Sequence, residues 1–250
     1  MVSESSGLTP SRLSQGEYFT HNDSGDSARV FRFNNKGVIT GTYSLKGATA
    51  YDWEDIASAH VGGKATLFVG DIGDNGKKRG FISVFEFAEP TGQTKEVVEF
   101  KKWDFEYPDG PRNAETLLVD PKTNDFMIVE KVSGKNAGIY LAERPFKPEK
   151  MKLKKLGEVT IGPSIGEGQL ITGGAVSPDG RYVALRTYFG GFEFVVPKEG
   201  FRSWFNARPS RVKLAPEPQG EAITYSLDGR SMLTSSEKTP CVVSILDIKR

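Results

Sequence analysis

The chain has 250 residues, and its 33 Lys and Arg residues nearly balance 32 Asp and Glu residues, for a formal net charge of +1. This balance disfavours a nucleic-acid polymer as partner, because proteins that bind one carry a clear basic excess or stripe. A single cysteine, Cys241, excludes an intramolecular disulfide framework and a cysteine-based zinc cluster. We expect no membrane partner, because no stretch approaches about 18 consecutive apolar residues.

Five positions along the chain begin the same pattern, in which a small or acidic residue precedes a short apolar run. We call these the anchor positions: Ser6, Glu54, Glu115, Gly173 and Glu221. They lie 48, 61, 58 and 48 residues apart. Repeats of roughly 40 to 50 residues are typical of β-propeller blades.

After each anchor position the same predicted elements follow in chain order. A short apolar strand reaches a turn, such as Pro178-Asp-Gly180, where Asp and Gly tolerate the required dihedral angles. The second strands are predicted at Tyr18–His21, Leu67–Gly70, Met127–Glu130, Val183–Arg186 and Met232–Ser235. The third strands are predicted at Arg29–Phe33, Phe81–Phe87, Gly138–Leu141, Phe192–Val196 and Val242–Leu246. The first four repeats leave room for a fourth strand, and Gly200–Asn206 is the one predicted helical turn.

This order predicts an all-β fold, a five-bladed β-propeller of four-stranded antiparallel blades in a single domain over residues 1–250. The blades are expected near residues 6–47, 52–108, 113–161, 171–214 and 219–249. Only 29 residues follow Glu221, so the last blade has room for three strands, and how the ring closes is left open. A β-sandwich or barrel with chance similarity between segments is the alternative.

The propeller topology predicts where the functional side chains lie. The innermost strand of each blade lines the central channel, so the anchor positions form a ring at one mouth of that channel. Three carboxylates in this ring repel one another unless they are protonated or neutralised. We predict that Ca²⁺ neutralises them, because a hard cation takes carboxylate, hydroxyl and carbonyl oxygens. The predicted ligands are Ser6, Glu54, Glu115, Gly173 and Glu221. The alternative is that the glutamates pair with Lys or Arg, or accept backbone hydrogen bonds.

A second ring of polar residues is predicted around the first, where the second strands end and their loops begin. The predicted substrate-binding residues are His21, Asn22, Asp71, Asp74, Lys131, Arg186 and Tyr188. Lys131 and Arg186 are expected to hold an anion such as phosphate or carboxylate. Asp23 and Glu237 are the predicted catalytic residues, as a general base or as the group that positions water.

Three stretches carry a resemblance to a known family. They are His21-Asn-Asp-Ser-Gly-Asp26, Asp52-Trp-Glu-Asp-Ile-Ala57 and Asp71-Ile-Gly-Asp-Asn75, and they resemble a bacterial family of mostly secreted, little-characterised propeller-like proteins. The resemblance covers nearly the whole chain and implies export. The first residues show no signal peptide, so localisation is left open, with an extracellular site favoured by the resemblance.

A more distant resemblance is to the calcium-activated nucleotidases, or apyrases, which are five-bladed propellers with Ca²⁺ in the central channel. Ser6, Glu54, Glu115 and Glu221 are similar in type and order to the channel ligands of that family, which come one per blade. Gly173 departs from the pattern, since only its backbone carbonyl or a water could serve. The stacking aromatic and basic loop residues of that family have no clear match, so the resemblance implies the fold and the metal more than diphosphate hydrolysis.

The sequence therefore predicts a calcium-binding propeller, expected to be a monomer, with a polar site at the channel mouth for a small anionic molecule or a sugar. If the protein is an enzyme, the expected reaction is metal-assisted hydrolysis of a phosphate ester or nucleotide. The alternatives are a ligand- or protein-binding module without turnover, and a structural propeller whose glutamates are paired internally.

Overall fold

The molecule is built from short strands joined mostly by tight turns. The structure is a computed structural model that describes residues 2–92, 96–133, 136–161, 170–237 and 241–248. The predicted domain ends at residues 1 and 250, and the predicted end of the last blade at residue 249, lie outside these ranges. Within the described ranges, no helix has the length and apolar character that crossing a bilayer requires.

Five β-sheets form the blades, which confirms the predicted all-β, five-bladed propeller. Blade 1 contains β1 (Ser5–Pro10), β2 (Glu17–Asn22), β3 (Arg29–Asn34), β4 (Ile39–Leu45) and β8 (Glu96–Val98). Blade 2 contains β5 (Trp53–Val61), β6 (Lys64–Asp71), β7 (Ile82–Ala88), β9 (Lys101–Glu106) and β13 (Met151–Lys152). Blade 3 contains β10 (Ala114–Val119), β11 (Phe126–Glu130), β12 (Ala137–Ala142) and β14 (Lys154–Val159). Blade 4 contains β15 (Ile171–Val176), β16 (Tyr182–Thr187), β17 (Gly190–Val195) and β18 (Ser210–Val212), and blade 5 contains β19 (Gly220–Tyr225), β20 (Ser231–Ser236) and β21 (Val243–Asp247).

Blades 1 and 2 differ from the predicted four strands, because each receives a fifth strand from the next blade. β8 lies in the connection between β7 and β9 of blade 2, yet it pairs in parallel with β4 of blade 1. β13 lies in the connection between β12 and β14 of blade 3 and pairs in parallel with β9 of blade 2. In both cases a loop of one blade reaches back and adds a strand to the outer edge of the preceding blade.

The third connection of this kind contains a helix. Between β17 and β18 of blade 4, the predicted helical turn is a 3-10 helix at Phe201–Asn206. Its Trp204 is fully buried, packs edge-on against Phe194, and donates a hydrogen bond from Nε1 to Sδ of Met127 in blade 3. This helix therefore ties blade 4 to blade 3.

The propeller closes through its inner strands. β1, β5, β10, β15 and β19 pack side by side around the axis, so that the first blade meets the last at β1 and β19. The hydroxyl oxygens of Ser5 and Ser235 are 2.7 Å apart across this seam. The backbones of Glu4 and Glu237 form an isolated antiparallel β-bridge there. Blade 5 has three strands in the described residues, as the room after Glu221 indicated.

The core lies between the blades rather than at the axis. One aromatic cluster between blades 2 and 3 joins Phe68, Phe105 and Phe126, and another between blades 1 and 2 joins Trp53 and Phe85. Both faces of most inner and second strands are covered, so polar as well as apolar side chains are buried along them. The polar ends of the inner strands are consequently gathered at the axis, where they form the candidate site.

Candidate metal centre at the channel mouth

Each inner strand has a β-bulge near its start. The bulged residues, in blade order, are Ser6, Glu54, Glu115, Thr172 and Glu221. A bulge leaves its extra residue outside the ladder and re-aims the side chain. Four of the five anchor positions are therefore structurally equivalent. In blade 4 the equivalent residue is Thr172, so the ring has a hydroxyl there and Gly173 lies one position further along the strand.

The two hydroxyls of this ring are engaged by neighbouring backbone. Ser6 Oγ donates to the carbonyl of Glu54 at 2.9 Å, and Thr172 Oγ1 donates to the carbonyl of Gly220 at 2.8 Å. Each bond links one bulge to the start of the next inner strand. The two hydroxyls therefore hydrogen-bond adjacent blades to each other. The ionisable groups of the ring are the three glutamates, Glu54, Glu115 and Glu221.

Directly after the bulge of β5, the buried Asp55 joins two inner strands. Its carboxylate accepts hydrogen bonds from the backbone N–H groups of Ile56 at 2.8 Å and Leu117 at 2.9 Å. Burial raises the pKa of Asp55 well above its ordinary value, although these bonds oppose the shift. The strands also meet closely here, since a Cβ at Gly7 would lie 2.6 Å from the nitrogen of Ile56.

Three carboxylates converge at the mouth between blades 1 and 2. One oxygen from each of Asp23, Asp52 and Glu54 lies within 4.8 Å of the others. Ca²⁺ binds oxygen at about 2.3–2.6 Å, so oxygens on one ion are separated by at most about 5 Å. The side chain of Glu54 is buried, and no hydrogen bond or ion pair reaches its carboxylate from the described residues. The spacing and the unpartnered carboxylate both fit one hard cation.

Gly73 leaves space for the carboxylates of Glu54 and Asp52. It lies in the loop after β6, where its N–H donates to the carbonyl of Asp52 at 3.1 Å. A Cβ at Gly73 would overlap Oε1 of Glu54 and Oδ2 of Asp52. The absence of a side chain at this position therefore permits the two carboxylates to approach each other.

Burial and repulsion from neighbouring carboxylates raise the pKa of two of these groups, Asp52 and Glu54. Burial, together with the charge of Asp23, raises the pKa of Asp52 to about 6. Burial and the nearby Glu115 raise the pKa of Glu54 well above its ordinary value. A charged group in this position is costly unless a cation compensates it. A divalent ion would therefore displace protons when it binds.

The third blade supplies an ion pair to the same mouth. The ammonium of Lys131 pairs with Oε1 of Glu115, donates to the hydroxyl of Tyr188 at 2.8 Å, and lies 4.9 Å from the centroid of the Tyr188 ring. Burial raises the pKa of Glu115 to about 7, although Lys131 opposes this shift. Internal pairing, the alternative that the sequence left open, thus holds for Glu115.

Blade 5 contributes two more carboxyl groups. The side-chain amide of Gln219 donates to Oε1 of Glu221 at 3.1 Å and to Oε2 of Glu237. Burial raises the pKa of Glu221 to about 8, and burial together with Asp23 raises the pKa of Glu237 to about 7. Among the described residues, six carboxyl groups therefore meet at the mouth with one ammonium group, that of Lys131, so the carboxyl groups outnumber the cations there.

Two of the predicted substrate-binding residues shape the loop between β6 and β7. Asp71 accepts the N–H groups of Tyr51 and Asp52, both at 3.2 Å, and pairs with Arg79 at 2.6 Å. Asp74 accepts the N–H groups of Lys78 at 2.9 Å and Arg79 at 2.7 Å. Their carboxylates hold the loop that carries Gly73 and so act on the site through its backbone.

Three others lie away from the mouth opening. His21 is fully buried, with Nδ1 2.9 Å from the carbonyl of Asn22 and its ring edge-on to Trp53. The amide of Asn22 accepts the N–H of Ser3 at 3.0 Å and donates to Asp26 at 2.7 Å. Arg186 is paired with Glu217 at 2.7 Å.

That pair is buried on both sides. The side chains of Arg186 and Glu217 are 1% and 3% exposed, and Arg186 also donates to the carbonyls of Ala222 and Ser235. The guanidinium thus joins blades 4 and 5. Of the residues predicted for the outer ring, the structure brings Asp23, Lys131, Tyr188 and Glu237 to the mouth, together with Glu54, Glu115 and Glu221 of the inner ring.

Sequence reasoning did not assign Asp52, Thr172, Gln219 or Gly73 to the site. Asp52 and Gln219 each stand two residues before an anchor position, and this shared spacing was a usable signal. Thr172 was hidden by its neighbour, because Gly173 and Gly174 imitate the pattern one residue late. Nothing local distinguishes Gly73, whose role depends on contacts across the loop.

No protein-family model matches the sequence, and no curated protein matches it significantly. Among solved structures, the chain is similar to a gluconolactonase from Xanthomonas campestris, with 9% identity, a TM-score of 0.53, and coverage of 96% of this chain and 71% of that one. It is also similar to hydrazine synthase from Kuenenia stuttgartiensis, with 11% identity, a TM-score of 0.49, and coverage of 98% and 71%. At such low identity a likeness shows shared architecture and leaves activity open. The chain therefore has the fold of the gluconolactonase, and its resemblances to secreted bacterial propellers and to apyrases stay predictions.

Proposed function

We propose that this propeller binds one hard divalent cation, Ca²⁺ in the first place, through Asp23, Asp52 and Glu54. The observation that carries the proposal is the convergence of three carboxylate oxygens within 4.8 Å. The buried Glu54 has no cationic partner in direct contact among the described residues, which supports it. Calcium is favoured because it takes oxygen ligands in flexible geometry, whereas Mg²⁺ demands a near-ideal octahedron.

We further propose that the cation serves the hydrolysis of a small ester. The excess of carboxyl groups favours a neutral ester, such as a sugar lactone, over a free anion. Lys131 and Arg186, which the sequence proposed as an anion clamp, are each paired with a glutamate. The gluconolactonase that shares this fold is named for lactone chemistry, and it motivates the first substrate to assay.

The chain offers groups for each part of such a reaction. A bound hard cation polarises a carbonyl oxygen and lowers the pKa of a bound water. Glu237, beside Asp23, could accept the proton of an attacking water. Tyr188, held by Lys131, lines the opposite side of the mouth and could hydrogen-bond a sugar hydroxyl.

Cation binding is tested by thermal unfolding in EGTA and again with millimolar Ca²⁺. An ion at 100 times its dissociation constant stabilises the folded state by about 2.7 kcal/mol, which raises the Tm by several degrees. Glu54→Gln should abolish this rise. The control is Glu99→Gln, which changes a carboxylate whose side chain is 81% exposed and should leave the rise intact. A wild-type protein without a calcium-dependent shift and without metal by elemental analysis would contradict the proposal.

Ester hydrolysis is tested separately with δ-gluconolactone, a neutral aryl ester and 4-nitrophenyl phosphate, each with Ca²⁺ or EGTA. We expect calcium-dependent turnover of a neutral ester, and loss of that turnover in Glu237→Gln with calcium binding retained. Turnover of the phosphate ester alone would support the phosphatase prediction from the sequence instead. Binding of Ca²⁺ without turnover of any substrate would remove the enzymatic part and keep the metal site.

A sugar-binding module without turnover is the second candidate, and one observation favours it. Phe189 is 74% exposed beside Tyr188 at the rim of the mouth. Exposed aromatic rings are suited to stacking on sugar rings, and a nearby cation can fix hydroxyl groups. Calorimetry with monosaccharides, in wild type and in Phe189→Ala, distinguishes this candidate, because a binding module loses affinity in the variant and never shows product.

A further inference from the structure

A cavity of about 500 Å³ lies between blades 1 and 2, outside the channel mouth. Phe85 and Phe100 line its interior, and Tyr51 and Phe81 stand at its rim. Its volume lies within the roughly 300–1,000 Å³ that small-molecule sites occupy, and its lining is mostly apolar and aromatic, as in such sites. None of the three converging carboxylate residues, Asp23, Asp52 and Glu54, lines this cavity.

Cations surround this aromatic lining. The guanidinium of Arg79 lies 5.8 Å from the centroid of the Tyr51 ring, and the ammonium groups of Lys102 and Lys150 lie 5.2 Å and 5.1 Å from that of Phe81. Lys102 and Lys150 are 41% and 43% exposed in their ion pairs with Asp104 and Glu106. Exposed ion pairs contribute little, so these ammonium groups can reorient toward a ligand at small cost.

We propose that this cavity binds a planar aromatic anion, such as an aryl carboxylate. Its ring system would lie against Phe81, Phe85 and Phe100, where aromatic contacts favour a flat apolar body. Its charged end would face Lys102, which lines the cavity and is exposed. Arg79 is held by Asp71 at 2.6 Å, whereas the more exposed Lys102 has its partner Asp104 outside the cavity lining, so Lys102 is the cation that the anion would engage.

The cavity and the mouth are neighbours, but the proposal does not rest on the cation. Asp71 lines the cavity and also accepts the N–H of Asp52, one of the three converging carboxylate residues. Binding is therefore measured in EGTA, where the cation site is empty. Failure of the calcium experiment leaves this proposal standing, and the reverse also holds.

The probe is 2-naphthoate, titrated into the full chain by calorimetry, with 2-naphthalenemethanol as its neutral counterpart. Phe81→Ala should weaken naphthoate binding about tenfold, because it removes an aromatic contact at the rim. Lys102→Glu should weaken binding of naphthoate and leave binding of the neutral compound unchanged. The matched controls are Lys101→Glu, at the adjacent exposed position of β9, and Phe189→Ala, at the mouth. Both should bind naphthoate as the wild type does.

Three results would overturn the proposal. The first is the absence of a binding heat for naphthoate at millimolar concentration. The second is equal affinity in wild type and Phe81→Ala, with both shown to be folded by their Tm. The third is equal affinity of the wild type for naphthoate and the neutral compound, since the proposed ligand is an anion.

Discussion

At the scale of single residues, Gly73 leaves the space in which the carboxylates of Glu54 and Asp52 approach each other. The residue has no charge and no side chain, yet Oε1 of Glu54 and Oδ2 of Asp52 occupy the space where its Cβ would stand. Its effect is steric, so it can be separated from the charge of the ligands themselves. This separation makes it a sharper probe of the cation site than any of the carboxylates.

Gly73→Ala should weaken Ca²⁺ binding several-fold, because the new Cβ takes the space of Oε1 of Glu54 and Oδ2 of Asp52. The added methyl group should push the two carboxylates apart while keeping their charge. Calcium titration by calorimetry measures the loss. Gly80→Ala is the control, since a Cβ at that position of the same loop meets nothing within 4 Å. Equal calcium affinity in both variants would count against Asp52 and Glu54 as joint ligands.

The buried pair of Arg186 and Glu217 also belongs to the residue scale. Arg186→Ala should lower the free energy of unfolding by about 3–5 kcal/mol, because it leaves the carboxylate of Glu217 buried without its partner. Arg186→Met combined with Glu217→Gln should lose clearly less, since no uncompensated charge remains. Urea unfolding of both variants measures the difference. If the double variant is as unstable as the single one, packing rather than charge holds this seam.

The candidate site was predictable in part, and the reason is residue spacing. Glu54, Glu115 and Glu221 were found because acidic residues recur at the same place in each repeat, and the fold converts that recurrence into a ring. Arg186 was assigned to the mouth because sequence gives its position along a strand, while its partner Glu217 comes from a distant loop. Burial and pairing across blades are tertiary properties that no local pattern records.

At the scale of elements, the connections between third and fourth strands hold neighbouring blades together. β8, β13 and the 3-10 helix at Phe201–Asn206 each reach from one blade to the preceding one. The antiparallel strands of the blades were predictable from apolar runs separated by turn residues. The parallel strands were not, because three residues of β8 and two of β13 are too short to show a pattern and pair far from their chain neighbours.

Trp204→Ala tests how much one such connection contributes. Replacing a fully buried Trp by Ala should lower the free energy of unfolding by about 3–5 kcal/mol through lost burial and the cavity that remains. Calcium affinity should not change, because the helix packs at the periphery of blades 3 and 4. Arg208→Ala, an exposed change just after the helix, is the control. A loss of less than about 1 kcal/mol would mean that the helix does not join the blades.

At the scale of the whole molecule, the acidic mouth makes stability depend on pH and on the cation together. Glu115, Glu221 and Glu237 have pKa values raised to about 7, 8 and 7, chiefly by burial. Between the ordinary pKa of glutamate and these values, the folded protein binds more protons than the unfolded chain. The free energy of unfolding therefore falls as pH rises through this interval.

In EGTA, the Tm should accordingly be highest near pH 5 and should decrease toward pH 8. Added Ca²⁺ should raise the Tm more at pH 8 than at pH 5, because at low pH the ion must displace protons from the carboxyl groups. Thermal unfolding across this range, with and without Ca²⁺, measures both effects. A Tm that increases from pH 5 to pH 8 in EGTA would contradict the raised pKa values at the mouth.

Asp55 makes the two ends of the propeller axis different. Its carboxylate joins β5 to β10 just beneath the bulges, where the inner strands approach closely, and this narrow level separates the mouth from a second axial cavity lined by residues such as Leu8, Ile56 and Thr224. In the proposed hydrolysis, substrate and product would therefore pass through the same opening in opposite directions. A product that lingers would block its successor, so the speed of the whole cycle would depend on how readily the mouth empties.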